Sequence, residues 1–426
     1  MRLRFARFHA SAAALALLSL ARTSLAEDSS PVAIDEVKAP VASVEPPATP
    51  QVEPPSSPIR DVDAPIATDP PPNWAIAHAG FRPRLGTFGG LATLALARAE
   101  TERFYGVVSV AGVRNDAHVH AGVAQLTLGR NYADALYGGV QLGLTENGAR
   151  KLAGIGQVAL AYNRGGDVIA IGQVASYNRA ERFGGVAQVG AYNRTDRSFV
   201  GAAQIGGYNR SDESFTGLAQ LAAFNQDGRK FTGLFQLGAV NAIGDELFSD
   251  AYGGDDRFAG VAQLGFVNSN RGSFYGLAQA GVSSWTSGDY VGLVQIGAMA
   301  AGAGTFKGLA QIGVGAISAR ESYGLQLGGA AIALGEHQGM QIAAGNWAKN
   351  IDGAQMGVVN MARHVRGLQV GLVNHAESLR GVQIGLVNHA EEGGVLPWTG
   401  LLNIGFDQVD DDVMVASARR ARHARR

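Results

Sequence analysis

Ser198-Phe199-Val200-Gly201-Ala202-Ala203-Gln204-Ile205-Gly206-Gly207-Tyr208-Asn209-Arg210 is a stretch that the chain repeats, with small changes, from about residue 104 to residue 406. Glutamine marks the period: Gln125, Gln141, Gln157, Gln173, Gln188, Gln204, Gln220 and Gln236, then Gln263, Gln279, Gln295, Gln311, Gln326, Gln341, Gln355, Gln369 and Gln383. Most steps are 16 residues, the step from Gln236 to Gln263 is longer, and the last steps are 14. A short fixed period means one small structural unit copied many times.

Alternation splits the unit into two faces. Phe199, Gly201, Ala203, Ile205 and Gly207 fall on one, and Val200, Ala202, Gln204, Gly206 and Tyr208 on the other. The first face stays apolar until the closing Asn209, and the second always carries the glutamine. Period-two alternation over about ten residues predicts a β-strand with one apolar side. The residues between units, such as Asn209-Arg210-Ser211-Asp212-Glu213-Ser214, are turn formers.

Two all-β architectures use such a unit. In an antiparallel membrane β-barrel each repeat is one strand and a tight turn, giving about twenty strands. The apolar face meets lipid and the glutamines line a narrow interior. In a β-solenoid each repeat is one coil and like residues stack. A straight ten-residue strand spans about 33 Å, which a six-residue return cannot match, so such a coil closes only if it bends at its glycines. The expectation is therefore the barrel, with the solenoid as the alternative. Gln188, Gln204, Gln220, Gln236, Gln263, Gln279, Gln295 and Gln311 are the candidate functional row, as a belt on the inner wall or as an outer ladder on a binding face. On either plan Leu264 belongs to the apolar face, so Leu264→Asp is expected to do more damage than Gln263→Asp.

Composition agrees with an array. Glycine supplies 59 of 426 residues and charged residues only 17%, and glycine at fixed repeat positions implies close backbone packing. Net charge is −1, and a leader holding Arg2, Arg4, Arg7 and Arg22 without an acid leaves about −5 once removed, which gives no reason to expect nucleic acid. The chain has no cysteine, hence no disulfide, thiolate chemistry or Cys-anchored lipid.

In chain order, residues 1–26 read as a secretory signal peptide: a basic start, an apolar run from residue 10 to 21, and Ser24-Leu25-Ala26 before Glu27. Residues 27–73 hold 12 of the 14 prolines and read as an extended, disordered linker. The repeat domain occupies 74–406. Within it, residues 242–257 form an acidic insertion with Asp245, Glu246, Asp250, Asp255 and Asp256. Residues 407–426 form a charged, disordered tail ending in arginines.

The last units read Gly367-Leu368-Gln369-Val370-Gly371-Leu372-Val373-Asn374-His375-Ala376-Glu377 and Gly381-Val382-Gln383-Ile384-Gly385-Leu386-Val387-Asn388-His389-Ala390-Glu391, closing with Leu396-Pro397-Trp398-Thr399-Gly400-Leu401-Leu402-Asn403-Ile404-Gly405-Phe406. This stretch resembles the leptospiral-type surface-repeat family of bacterial envelope proteins. The resemblance covers about 350–406 and extends more loosely upstream. It implies an exported, envelope-associated protein and brings no catalytic residues. The chain departs from it in lacking a lipobox cysteine and in continuing past Phe406. Trp398, Gly400, Leu402, Ile404 and Phe406 also alternate as in the terminal strand of an outer-membrane barrel.

No catalytic motif rises above the repeat. His118 and His120 share a face if they lie on one strand, and no third ligand accompanies them. His375 and His389 occupy equivalent positions, each two residues before a glutamate, where stacked turns can bring them together. The reading is of a non-enzymatic protein without cofactor or metal, in the outer membrane or at the cell surface, with the periplasm as alternative. Its expected partners are outer-membrane lipid and an envelope polysaccharide or a host or cell-surface ligand, and not nucleic acid.

Overall fold

A computed structural model describes residues 73–244, 255–318 and 320–406. The leader, nearly all of the proline-rich linker, the tail, and Asp245, Glu246 and Asp250 of the insertion lie outside the described residues.

Each repeat is one turn of a three-sided coil. In one turn Ser214–Thr216, Ala219–Leu221 and Phe224–Asp227 are the first, second and third sides. In the next they are Lys230–Thr232, Phe235–Leu237 and Val240–Ile243. Two-residue corners at 217–218, 222–223 and 228–229 join them. Successive turns pair in parallel and in register, with Phe215 beside Phe231, Gln220 beside Gln236 and Asn225 beside Asn241. About 19 such turns make a β-solenoid. At about 4.8 Å per turn it is roughly 90 Å long.

The antiparallel barrel is therefore overturned, because neighbouring repeats run parallel. The reason is local. The ten residues 199–208 do not make one straight strand: they bend at 201–202, and the strand that follows is paired at 203–205 and at 208–211 with two separate sides of the next turn, so that the inward alternation resets at 206–207. A three-residue side turns one side chain inward, and each corner resets the alternation. The inward spacing is five, from Phe199 to Gln204 to Asn209, all fully buried. Ile205, placed with Phe199 by strict alternation, is 41% exposed. Bending at the glycines also removes the length objection, because no leg has to return 33 Å.

Three ladders fill the interior. On the first side Phe183, Phe199, Phe215, Phe231, Phe258, Phe274, Tyr290 and Phe306 stack with ring centroids 4.8–5.2 Å apart. The corner glycine after each ring is required by close approach: a Cβ on Gly260 would sit 2.6 Å from the Gly233 carbonyl oxygen and 2.9 Å from Phe258 Cζ. The second side carries the glutamines. The third carries asparagines in two runs, Asn131 to Asn268 and Asn346 to Asn388, in which neighbours donate Nδ2 to Oδ1, as from Asn193 to Asn209 at 2.9 Å and from Asn225 to Asn241 at 2.9 Å. Side-chain amides hold one donor and one acceptor per neighbour, which an in-register stack satisfies. Phe231 and Phe258, which flank the acidic insertion in sequence, stack with ring centroids 4.8 Å apart.

The C-terminal turns are shorter. Their first-side ladder is Ile351, Val365 and Leu379, and the corner before each glutamine is a single glycine with positive φ: Gly353 at 143°, Gly367 at 134° and Gly381 at 141°. Trp398–Gly405 then runs antiparallel to the last full turn, Gly381 facing Gly405 and Ile384 facing Leu402. This strand, which resembles a barrel's closing strand in sequence, covers the open edge of the stack, a standard protection against edge pairing.

Candidate functional site

The glutamine row is interior. Gln188, Gln204, Gln220, Gln236, Gln263, Gln279, Gln295 and Gln311 are all fully buried. Each donates from Nε2 to the Oε1 of the glutamine one turn earlier, at 2.7–2.9 Å. The chain of amides runs on to Gln383, whose Oε1 accepts from Asn403 of the capping strand at 3.3 Å. Second donors are spent on backbone carbonyls, as from Gln295 to Gly302 at 2.9 Å. The row lines neither a lumen nor an outer face; it is structural. The expected ranking of Leu264→Asp above Gln263→Asp reverses in consequence, since Gln263 is fully buried and Leu264 is 39% exposed.

What the outside offers differs by side. From residue 106 to residue 386, in every described turn, the second side and its two flanking corners carry no charged side chain. Ile205, Leu221, Leu237, Leu264 and Ile296 point outward along it. Leu218, Leu234, Leu277, Leu293 and Leu309 crown one corner, 44–72% exposed, and Phe266, Val314, Leu372 and Leu386 the other. Over some 18 turns this strip is roughly 85 Å long and about 15 Å wide. The largest apolar patch on an ordinary monomer is about 300–600 Å².

The third side is the opposite in character. A Tyr-Asn-Arg triplet recurs at 162–164, 177–179, 192–194 and 208–210. Its asparagine points inward, while tyrosine and arginine point outward in two columns. Tyr162, Tyr177, Tyr192 and Tyr208 stack at 4.7–4.9 Å. Burial in the stack raises the phenol pKa of Tyr177 and Tyr192. Arg179 reaches Asp196 at 2.9 Å and Arg194 reaches Asp212 at 2.7 Å, one turn on. The arginine column ends at Arg164, with Gly148 and then Tyr132 in the turns below, and a cleft of about 440 Å³ opens there beside Tyr132, Arg150 and Arg179. Alternation placed Tyr208 on the glutamine face; the triplet itself was the available signal for these columns.

The histidines separate into two cases. His118 and His120 do not share a face. His118 lies outside, paired with Asp134. His120 takes a place in the first-side ladder, stacked on Phe104 at 4.5 Å, and burial lowers its pKa to about 4. His337 holds a similar place, its Nδ1 2.6 Å from Ser322 Oγ, with its pKa also lowered to about 4 by burial. His375 and His389, by contrast, are brought together. Their Nδ1 atoms are 2.8 Å apart and their rings stack at 5.0 Å, while Trp398 of the capping strand lies 3.9 Å from the other face of His389. Burial, and next the neighbouring His389, lower the pKa of His375.

Asp227 escapes notice in the sequence, inside the turn-like run after Asn225. It is fully buried on the third side against the glutamine ladder, accepting from Gln220 and Gln236 at 3.0 Å each, and burial raises its pKa well above the usual carboxylate range. Of the acidic insertion, Asp255 is exposed and Asp256 buried. Comparisons with protein-family models, with curated proteins and with solved structures returned no match.

Proposed function

We propose that this protein is a non-enzymatic module of a bacterial envelope: an exported β-solenoid that lies along a lipid surface by its uncharged side and turns its Tyr/Arg side to the surroundings. The observation that carries the reading is the absence of charge from that side between residues 106 and 386. If a third of roughly 1,200 Å² leaves water at about 25 cal/mol per Å², the gain is about 10 kcal/mol, enough to hold a protein at an interface. The side offers few polar atoms that would fix the register of a protein partner, whereas specific protein interfaces carry about one hydrogen bond per 100–200 Å². A fluid hydrocarbon partner has no register to fix. The tyrosine and arginine columns begin beside one corner of the strip, which suits the headgroup level of a bilayer. The basic, apolar and small-residue order of residues 1–26 and the surface-repeat resemblance support export.

The test is flotation of the full mature chain with zwitterionic vesicles. Co-flotation that persists in high salt is expected. A variant carrying Leu237→Asp, Leu264→Asp and Ile296→Asp should stay folded and remain at the bottom of the gradient. Wild-type protein that stays at the bottom, as monomer or as dimer, would overturn the lipid reading. Sequencing the N-terminus from an envelope fraction tests export, with Glu27 expected and Met1 fatal to it.

A further inference from the structure

The C-terminal turns repeat every 14 residues, so equivalent outward positions stack, and one column runs Met361, His375, His389. Its last two members present Nδ1 atoms to one another at 2.8 Å. Two residues beyond His389, past the buried Ala390, the exposed Glu391 comes from the same strand. One ligand atom from each of His375, His389 and Glu391 can be chosen so that all lie within 4.8 Å of one another. We propose that these three side chains bind a divalent transition-metal ion of the zinc class at the capped end of the solenoid.

Two features favour this set. Two neutral imidazole nitrogens that face each other need something electropositive between them, either a proton or a metal ion. Zinc–nitrogen bonds of about 2.0–2.1 Å in a tetrahedral site put two ligand nitrogens about 3.3 Å apart, so the rings need part by only about half an ångström. The carboxylate is also available. Glu377, one turn earlier, is engaged by Arg363 at 3.5 Å, while Glu391 has no ion pair among the described residues. Trp398 packs on His389 at 3.9 Å and 20° and so fixes the ring's orientation before any ion arrives. Nitrogen and carboxylate donors suit zinc, copper and nickel rather than calcium or magnesium. Three protein ligands leave a position open to water or to a partner's side chain.

The experiment is calorimetric titration of the full chain with Zn²⁺, alongside quenching of tryptophan fluorescence by Cu²⁺. One saturable site is expected, absent in H375A and in H389A and unchanged in H118A, whose histidine is exposed elsewhere. Trp398→Ala, which removes the outer support of His389, should weaken the site by roughly tenfold. Because the alanine variants could disturb the last turn, E391Q serves as a milder probe and should weaken Zn²⁺ binding while circular dichroism stays as in wild type. Saturable Cu²⁺ quenching should be largely lost in Trp398→Phe. Absence of a saturable site in wild type, or wild-type binding in H375A and H389A, would overturn the proposal.

Discussion

The aromatic turns around residues 199–306 and the aliphatic turns around residues 351–379 are two versions of one coil. In both, the step from glutamine to the next inward residue is five residues and the step after that is two: Gln220, Asn225, Asp227 in the first, Gln369, Asn374, Ala376 in the second. The remaining steps differ. Phe215 precedes its glutamine by five residues, but Val365 precedes Gln369 by four. From Ser211 to Phe215 is four residues, but from Ala376 to Leu379 is three. Both missing residues flank the first side. Between these two kinds of turn the two amide sides thus keep their dimensions, and the first side absorbs the change in circumference. Two residues fewer is about 6–7 Å less chain around the same interior. A smaller first side encloses less space, and isoleucine, valine and leucine stand where phenylalanine stood. The shorter corner is possible because Gly353, Gly367 and Gly381 take positive φ.

If the amide ladder is the shared part, breaking it should cost the same in both regions. Gln263→Leu and Gln369→Leu each leave two neighbouring buried amides short of a partner, at roughly 1–3 kcal/mol apiece, so about 2–6 kcal/mol is expected for either. Hydrogen exchange mapped along the chain should show protection lost over the turns on either side of each substitution, as nearest-neighbour coupling in a solenoid implies. A large loss at Gln263 with a negligible one at Gln369 would mean that the two regions are held together differently.

His120 sharpens the contrast from within the first side, because it is an ionisable ring in a ladder of hydrophobic ones. Its pKa falls from the ordinary 6.5 to about 4, mainly through burial. The folded state therefore binds fewer protons than the unfolded chain, and stability is lost as pH falls from about 6.5 towards 4. At about 1.4 kcal/mol per pH unit this amounts to about 3 kcal/mol. His120→Phe should remove that loss, leaving the variant clearly more stable than wild type at pH ~4 and less distinct above pH ~7. Parallel urea curves for the two proteins across that range would contradict the assignment of His120 to the interior.

How much of this was legible in the sequence depends on which residue is asked. The period, the turn residues and the all-β class are visible in the glutamine count alone. Phe199, Gln204 and Asn209 also show their spacing of five openly, but alternation assigns them to opposite faces, because period two holds only while the backbone runs straight. Whether Gly201-Ala202 and Gly206-Gly207 are corners is decided by packing under the Phe199 ring and against the neighbouring turn, which no single repeat displays. Glutamine is polar, so a row of glutamines reads as a surface. Only stacking at about 4.8 Å, which satisfies each amide from its neighbours, makes it an interior. The same stacking unites His375 with His389 across 14 residues, and the capping strand adds Trp398 from beyond the repeat.

The circumference argument has its own test, smaller in size. Val365→Phe places an aromatic ring in a turn that lacks the residues to surround it, and overpacking of this kind typically costs about 1–3 kcal/mol. Phe258→Leu, the change towards the aliphatic type in a wide turn, should cost less, up to about 1.5 kcal/mol. Denaturation midpoints rank the two. If Val365→Phe proved the milder change, the shorter turns would not be narrower inside, and the change of ladder from phenylalanine to aliphatic residues would need another cause.

The last substitution should bring a gain. Asp227 stands in the third-side column where Ile243 and Asn270 follow, and it is the acid buried against the glutamine ladder. Burial raises its pKa well above the ordinary value, opposed only in part by the hydrogen bonds from Gln220 and Ser211. The folded state therefore holds a proton that the unfolded chain releases near pH ~4, and stability is greatest in acid and declines as pH rises through the folded pKa. Asp227→Asn keeps the shape and removes the titration. Its arrangement already exists two turns on, where Asn270 Nδ2 donates to Gln263 Oε1 at 3.0 Å and Gln263 Nε2 donates to Asn270 Oδ1 at 3.2 Å. At neutral pH the variant should melt above wild type, and near pH ~4 the two should converge. The direction opposes that of His120→Phe, whose advantage grows in acid, so the two variants measured side by side separate a buried base from a buried acid in the same coil. A melting difference for Asp227→Asn that does not change between acid and neutral pH would show that the carboxyl does not titrate inside the fold.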